Sequence, residues 1–317
     1  MTRVSNAIKT FISIIIILSV SVFFYKTFQR NWSSIQLHRF EINYVFLSSS
    51  FITILSTYLI STYGWYITIN SISNRNDLSF SQSIAIVNAS NLTKYIPGKI
   101  WSFSLQMYWL ANIGYSKALI LYVNIINIII SIITTIIVGL AYLLYSPNRF
   151  PFAATLALLL IFILIDICFI EFNSVIFNRI IMLLNKILKC NIKHFDVTKK
   201  LLLHLHVIHI GAAFILGVGA YLLCLGIGFH IEPGKILLVM SSLLLSDVIG
   251  FLAVIVPGGL GVREGFMYMM LGGALSGSLS LILPIASRIV NMLVDIFLGV
   301  IALKLMRNFI NEGYIKT

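Results

Sequence analysis

Apolar residues fill this chain in long blocks, without the short period of a surface helix or a half-buried strand. A membrane-spanning helix needs about 20 such residues. Six blocks qualify, at approximately 8–26, 44–70, 117–145, 151–171, 204–229 and 278–306. Two more apolar regions, about 80–113 and 235–276, are interrupted by Pro-Gly. The first break lies in KYIPGKIW, Lys94 to Trp101, and the second in VPGGLGVREG, Val256 to Gly265. Proline removes a backbone donor and glycine opens conformations closed to other residues, so each pair ends a helix. Most flanking arms hold about 14–16 residues, too short to cross alone and suited to a re-entrant hairpin. The arm from Ile236 to Val256 is long enough to cross by itself. The prediction is an all-α, polytopic helical membrane protein with about six full spans plus two re-entrant hairpins, or eight spans if the broken regions cross.

Composition agrees. Only 10% of the 317 residues are charged and mean hydropathy is +0.99, against about 25% charged in soluble domains. Nearly all of the chain lies in or beside an apolar block, which leaves no room for a soluble catalytic domain of ordinary size. The net charge of +12 therefore reports orientation and not nucleic-acid binding. Segment 172–203 carries Arg179, Lys186, Lys189, Lys193, Lys199 and Lys200 against Glu171 and Asp196. It reads as a cytoplasmic amphipathic connector lying on the anionic inner leaflet. Counting outward puts both termini in the cytoplasm, and the parity is the same whether the broken regions dip or cross. Arg3 and Lys9 precede the apolar run Thr10 to Tyr25 without a small-residue cleavage site, which predicts a retained first helix. The loop Arg30 to Asn43, with Trp32 and Phe40, is expected to hold an interfacial helix. Cys168, Cys190 and Cys224 show neither disulfide nor zinc spacing.

A shift of 160 residues lays Pro97-Gly98 on Pro257-Gly258, Ser116 on Ser276 and Gly139 on Gly299. In both copies an apolar arm, a break, a short arm and a long span follow in order. The reading is a single transmembrane domain over 1–317, with broken-helix repeats at about 80–145 and 235–306. Three spans separate the breaks, and an odd number inverts the second copy. Inverted repeats with paired broken helices are the architecture of many secondary transporters.

The breaks carry the chemistry. After Pro257, Gly258, Gly259 and Gly261 form a loop, and a helix is expected to start near Gly261 or Val262. Its free N–H groups and positive dipole end favour an anion. Arg263 lies in that first turn and can fork onto a phosphate, while Glu264 is positioned to hold Arg263 when no ligand is bound. The first copy offers Lys99 after Pro97-Gly98, with Lys94 before it and Trp101 after. In the last span Arg288, Asn291 and Asp295 share one helix face, and charges there must face a cavity or protein interior. Asp247 is a partner for either arginine. Asn124, Asn127 and Ser131 form the neutral counterpart stripe. His204, His206 and His209 lack a carboxylate at ligand spacing, so no metal is expected; no cofactor motif, nucleophile elbow or P-loop occurs either.

KYIPGKIW and VPGGLGVREG, followed by Arg288 in the last span, resemble the membrane region of lysylphosphatidylglycerol synthase/flippase proteins and their stand-alone flippase-like relatives. In two-part members of that family a membrane region translocates aminoacylated phospholipid and a soluble domain makes it. The resemblance is to the membrane region alone, so synthase activity is not expected. It implies translocation of an anionic lipid, a phospholipid or a lipid-linked sugar, across the cytoplasmic membrane. Its phosphate would be held by Arg263, Lys99, Lys94, Arg288 and the glycine loop, and its path lined by Glu264, Asp247, Asn291, Asp295, Asn127 and Trp101. The alternative is a non-transporting membrane partner of an envelope polysaccharide or lipid biosynthesis enzyme.

Overall fold

The computed structural model describes residues 41–75, 77–95, 101–145, 151–172, 197–253 and 256–311, with a few isolated positions besides. The expected first helix, the interfacial loop helix, most of the connector and the triplet Pro97, Gly98 and Lys99 lie outside them. Among the described residues the chain is helical and multi-pass. In order come α1 (Tyr44–Ser73), α2 (Phe80–Asn91), a 3₁₀ turn (Leu92–Tyr95) and α3 (Trp101–Ala111). Then come α4 (Lys117–Leu144), α5 (Phe152–Glu171), α6 (Lys199–Gly226) and α7 (Pro233–Leu252). A second 3₁₀ turn (Pro257–Gly259), α8 (Val262–Leu271) and α9 (Gly277–Asn311) complete the chain.

Six of these helices, α1, α4, α5, α6, α7 and α9, are long and apolar enough to cross a membrane. Five coincide with predicted spans. The sixth, α7, is the long arm of the second broken region; its 20 residues reach about 30 Å, the thickness of the hydrocarbon core. By contrast α2, α3 and α8 have 12, 11 and 10 residues and cannot cross alone.

Polar residues set the helix ends. The Asn43 side chain accepts from the first turn of α1, and Ser79 and Gln82 close a reciprocal capping box on α2. Ser116 caps α4 through Leu119 N at 3.2 Å, and Ser276 does the same for α9 through Leu279 N at 3.4 Å. The two residues related by the 160-residue shift thus do the same job.

Lipid supplies no hydrophobic drive between helices, so close approach and polar contacts hold the bundle. α1 lies along α6, where Ser50 Oγ donates to Gly219 O at 2.8 Å. At Gly226 a Cβ would come within 2.9 Å of the Leu47 backbone nitrogen. The long helix of each broken region packs on the other region's arm: α4 on α7, α9 on α2. The shift-related glycines mark both crossings. A Cβ on Gly139 would meet Leu245 of α7 at 2.9 Å, and one on Gly299 would meet the Leu92 side chain at 2.5 Å.

The two broken regions open at opposite ends of α4. At its start, Arg75 and Asp77 before α2 meet Gly114 and Tyr115 after α3. Arg75 Nη1 donates to Gly114 O at 3.2 Å and its Nη2 pairs with Asp77 Oδ2 at 2.6 Å. Tyr115 OH donates to Asp77 Oδ1 at 2.6 Å, and the Arg75 guanidinium lies over the Tyr115 ring. The segment α2–turn–α3 therefore returns to where it started. At the far end of α4, about 40 Å away, Leu143 lines a cleft together with Gly234 and Lys235 at the start of α7 and Gly273 and Ala274 after α8. Residues from both ends of the second broken segment thus line one cleft there.

Two predictions follow from these contacts. Gly299→Ala should lower thermal stability in detergent, and adding Leu92→Ala should restore part of it, with a coupling of about 0.5–3 kcal/mol. Additive losses would remove Leu92 as the cause. At the clamp, burial pushes the Asp77 carboxyl up, but the Tyr115 hydrogen bond, its own backbone bond and Arg75 outweigh it and hold the group below its ordinary value. Its contribution is then full above the unfolded value of about 3.9 and is lost as pH falls through the folded one. Melting curves of wild type and Asp77→Asn should differ at neutral pH and converge in acid; a gap that persists in acid would contradict this.

Candidate functional site

The turn that leads into the first break meets the second break. The Leu92–Tyr95 turn packs against the Pro257–Gly259 turn, and both lie beside α9. The second break folds this way because Gly258, Gly259 and Gly261 have φ of +56°, +66° and +80°, values that L side chains rarely adopt. Space forbids a side chain as well: a Cβ on Gly259 would lie 2.5 Å from Gly250 O. The chain thus turns hard against α7, and α8 starts at Val262 as expected from the sequence.

Six ionisable side chains close around these turns in three pairs: Arg263 with Asp247, Arg288 with Glu264, and Lys94 with Asp295. Three cations and three carboxylates cancel, which is what a bilayer interior demands of buried charge. Lys94 Nζ donates to Asp295 Oδ1 at 2.7 Å, the Tyr95 hydroxyl donates to Asp295 Oδ2, and Asp295 is 4% exposed. The Lys94 ammonium also stands 5.3 Å from the Tyr58 ring centre and 5.6 Å from that of Tyr95. One and two turns back along α9 the stripe continues. Asn291 Nδ2 donates to Ser287 O and its Oδ1 faces the Tyr58 hydroxyl at 3.4 Å. Arg288 Nη1 donates to Gly258 O at 2.8 Å, with its guanidinium 5.7 Å from the Tyr95 ring centre. Arg288, Asn291 and Asp295 thus share one site.

The pairing differs from the expectation at one point. Glu264 does not hold Arg263. It accepts from the Gly261 backbone N–H, as a third-position helix residue can. Its other oxygen lies 3.6 Å from Arg288 Nε. Arg263 turns the other way, because its Cβ lies against Gly250 of α7, and pairs with Asp247 at 2.6 Å. That contact is close, but the Nε–H is not aimed at the oxygen, so it is an ion pair and not an aligned hydrogen bond. The Nη2 groups of Arg263 and Arg288 are buried without a hydrogen-bond partner among the described residues. Such donors are costly when left unmet.

Other predicted residues fall elsewhere. Trp101 is exposed at the start of α3. Asn127 is buried away from the cluster: its Nδ2 donates to Thr68 Oγ1 at 3.0 Å and its Oδ1 faces His209 at 3.4 Å. Asn124 donates to Gln106, which donates to Ser90. Asn124 and Asn127 therefore join helices away from the charge cluster. The 1060 Å³ cleft does not contain the cluster either. Leu245 and Phe266 line it, two residues from Asp247 and Glu264, and so project from the opposite sides of α7 and α8. Tyr58 and Tyr95 escaped the sequence reading, since an aromatic in an apolar run looks like core; the signal was Tyr95 directly after Lys94 at the break. No group of three or more His, Cys, Asp or Glu fit to hold a metal occurs among the described residues.

The pairing makes a measurable demand. Asp295→Asn leaves Lys94, whose side chain is 32% exposed, without counter-charge and should cost about 1–3 kcal/mol of stability, less than a fully buried unpaired ion would. Adding Lys94→Met should recover much of the loss in detergent melts. A double variant no more stable than the single would show that the pair is not coupled.

The comparisons with known proteins come to one finding. The family model described as the lysylphosphatidylglycerol synthase TM region matches residues 9–299. No curated protein and no solved structure matches. The match spans both breaks, the charge cluster and all six candidate spans except the end of α9. The chain is a multi-pass membrane protein that belongs to the lysylphosphatidylglycerol synthase TM region family.

Proposed function

We propose that the protein translocates an anionic lipid, a phospholipid or a lipid-linked sugar, across the cytoplasmic membrane. The observation that carries this reading is the neutral charge cluster where the two broken segments meet, with unmet guanidinium donors on Arg263 and Arg288. In this closed arrangement Asp247 and Glu264 stand where a lipid phosphate would bind. A phosphate brings the same charge and more acceptor oxygens, so it can displace a carboxylate from either arginine and fill the Nη2 bonds. Lys94 and the glycine turn offer further contacts. Lys99 belongs to the same loop of the first break by sequence.

The clamp between the ends of the first broken segment supports a re-entrant hairpin there, and the cleft at the opposite end of α4, lined from both ends of the second, supports an inverted repeat, with repeats at about 80–145 and 235–306. In such a fold, rocking of one half against the other exposes a central site to each side in turn. The termini are assigned to the cytoplasm from the cationic connector. The protein acts here by moving lipid, without bond-making chemistry and without a cofactor. One observation favours the alternative, a non-transporting partner of an envelope biosynthesis enzyme: both arginines already face carboxylates.

Reconstituted vesicles with a fluorescent anionic phospholipid separate the two. Arg263→Ala and Arg288→Ala should each slow translocation by about 10- to 100-fold, the loss of one charged hydrogen bond of about 1.5–3 kcal/mol. Wild-type rates in both variants, at equal protein incorporation, would overturn the site. No lipid movement by the wild type would favour the partner role.

A further inference from the structure

A second ionisable pair, His206 buried and Asp166 half-buried, lies outside the charge cluster. On α6, His206 Nε2 lies 2.7 Å from Asp166 Oδ1 of α5, and His206 Nδ1 lies 2.6 Å from Leu202 O. The side chains are 7% and 14% exposed. His206 is seven residues into α6 and Asp166 five from the end of α5, so both lie about 8–10 Å inside their spans.

The geometry counts the protons. A carbonyl can only accept, so Nδ1 carries a hydrogen. Nε2 and the carboxyl oxygen then need one proton between them, on the imidazole or on the acid. With it the pair is neutral overall and bonded. Without it a lone pair faces a carboxylate, and an uncompensated charge is buried. No described cation offsets that charge. Lys199, Lys200, His204, Cys168 and Glu171 on the two helices are exposed, and Lys199 is paired with Glu171. His209, on the same face of α6, is buried against Asn127 of α4 and Gly64 of α1. α4 adds no charged residue after Lys117, and its tyrosines are Tyr122 and Tyr142. α1 has none between Tyr44 and Ser73, and its tyrosines are Tyr44, Tyr58, Tyr63 and Tyr66. On α9, Lys304 and Arg307 are exposed, as is Arg179 of the connector; α7, which packs on α6, carries Lys235, paired with Glu232, and Asp247, paired with Arg263.

We infer that Asp166 and His206 form a binding site for one exchangeable proton, and that its occupancy couples lipid movement to a proton gradient. The coupling clause rests on the translocation reading; the proton site does not. The mechanical link is α1. It meets the dyad's neighbour His209 at Gly64, and six residues earlier Tyr58 touches Asn291 and overlies Lys94 of the charge cluster. Proton loss breaks the α5–α6 contact and lets α6 shift along α1. The pair holds no metal in this reading, since two side chains and a carbonyl leave a site without a third ionisable ligand.

The test has two arms. Infrared difference spectra of the purified protein over a pH titration should show carboxyl and imidazole bands changing together. Both should vanish in Asp166→Asn and in His206→Gln, and survive in the exposed-site control Glu171→Gln. Bands absent from the wild type, or unaffected by both substitutions in folded protein, overturn the proton site. In vesicles, an imposed pH gradient should change the wild-type rate for a fluorescent anionic phospholipid. His206→Gln and Asp166→Asn should keep gradient-independent movement and lose that response. Wild-type movement indifferent to the gradient overturns the coupling. No wild-type movement, with the infrared bands present, overturns the translocation reading and leaves the proton site standing.

Discussion

Buried charge in a membrane must sum to zero, and most of this structure follows from meeting that demand at one place. Lys94, Arg263 and Arg288 stand against Asp247, Glu264 and Asp295. Removing any one leaves its partner without counter-charge. The turns that carry these residues are therefore pinned to each other and to α9, although they are irregular backbone among apolar helices. Such backbone is tolerated only where protein covers it, and here the cover is mutual. Gly259 lies on Gly250, Gly258 accepts from Arg288, and the Leu92 side chain fills the space left by Gly299.

The same constraint explains how the site can be both stable and usable. A lone guanidinium would be too costly to keep, and a perfectly satisfied one would bind nothing. Arg263 and Arg288 are held between these limits: each faces a carboxylate, and each retains an unmet Nη2 donor. A ligand of the same charge with more acceptors can exchange with the carboxylates without leaving an uncompensated ion at any step. That is a property phosphate has and a neutral headgroup lacks.

Much of the architecture was legible because spans are long and lipid-facing surfaces tolerate only apolar residues. The blocks at 44–70, 117–145, 151–171, 204–229 and 278–306 became α1, α4, α5, α6 and α9. The serine and glycine pairs at a shift of 160 proved to be helix caps and crossing points, since caps and close contacts have strict chemical needs. The face shared by Arg288, Asn291 and Asp295 followed from helical period alone. Partner choice did not. Whether Asp247 took Arg263 or Arg288 depends on which side of Gly250 the chain turns, a fact of packing. Asp166 and His206 stand 40 residues apart on different helices, with no local pattern to join them. Asn127, on the neutral stripe of the first copy, sits between Thr68 and His209, apart from the charge cluster, a placement that only the helix packing shows.

The central claim is that the cluster selects an anionic lipid through its arginines. Native mass spectrometry of the gently extracted protein, supplied with equal amounts of an anionic and a zwitterionic phospholipid, tests it most directly. The account predicts retention of the anionic lipid by the wild type and loss of that preference in an Arg263→Ala, Arg288→Ala double variant that remains folded. Equal retention of both lipids by the wild type, or an unchanged preference in the variant, would contradict it.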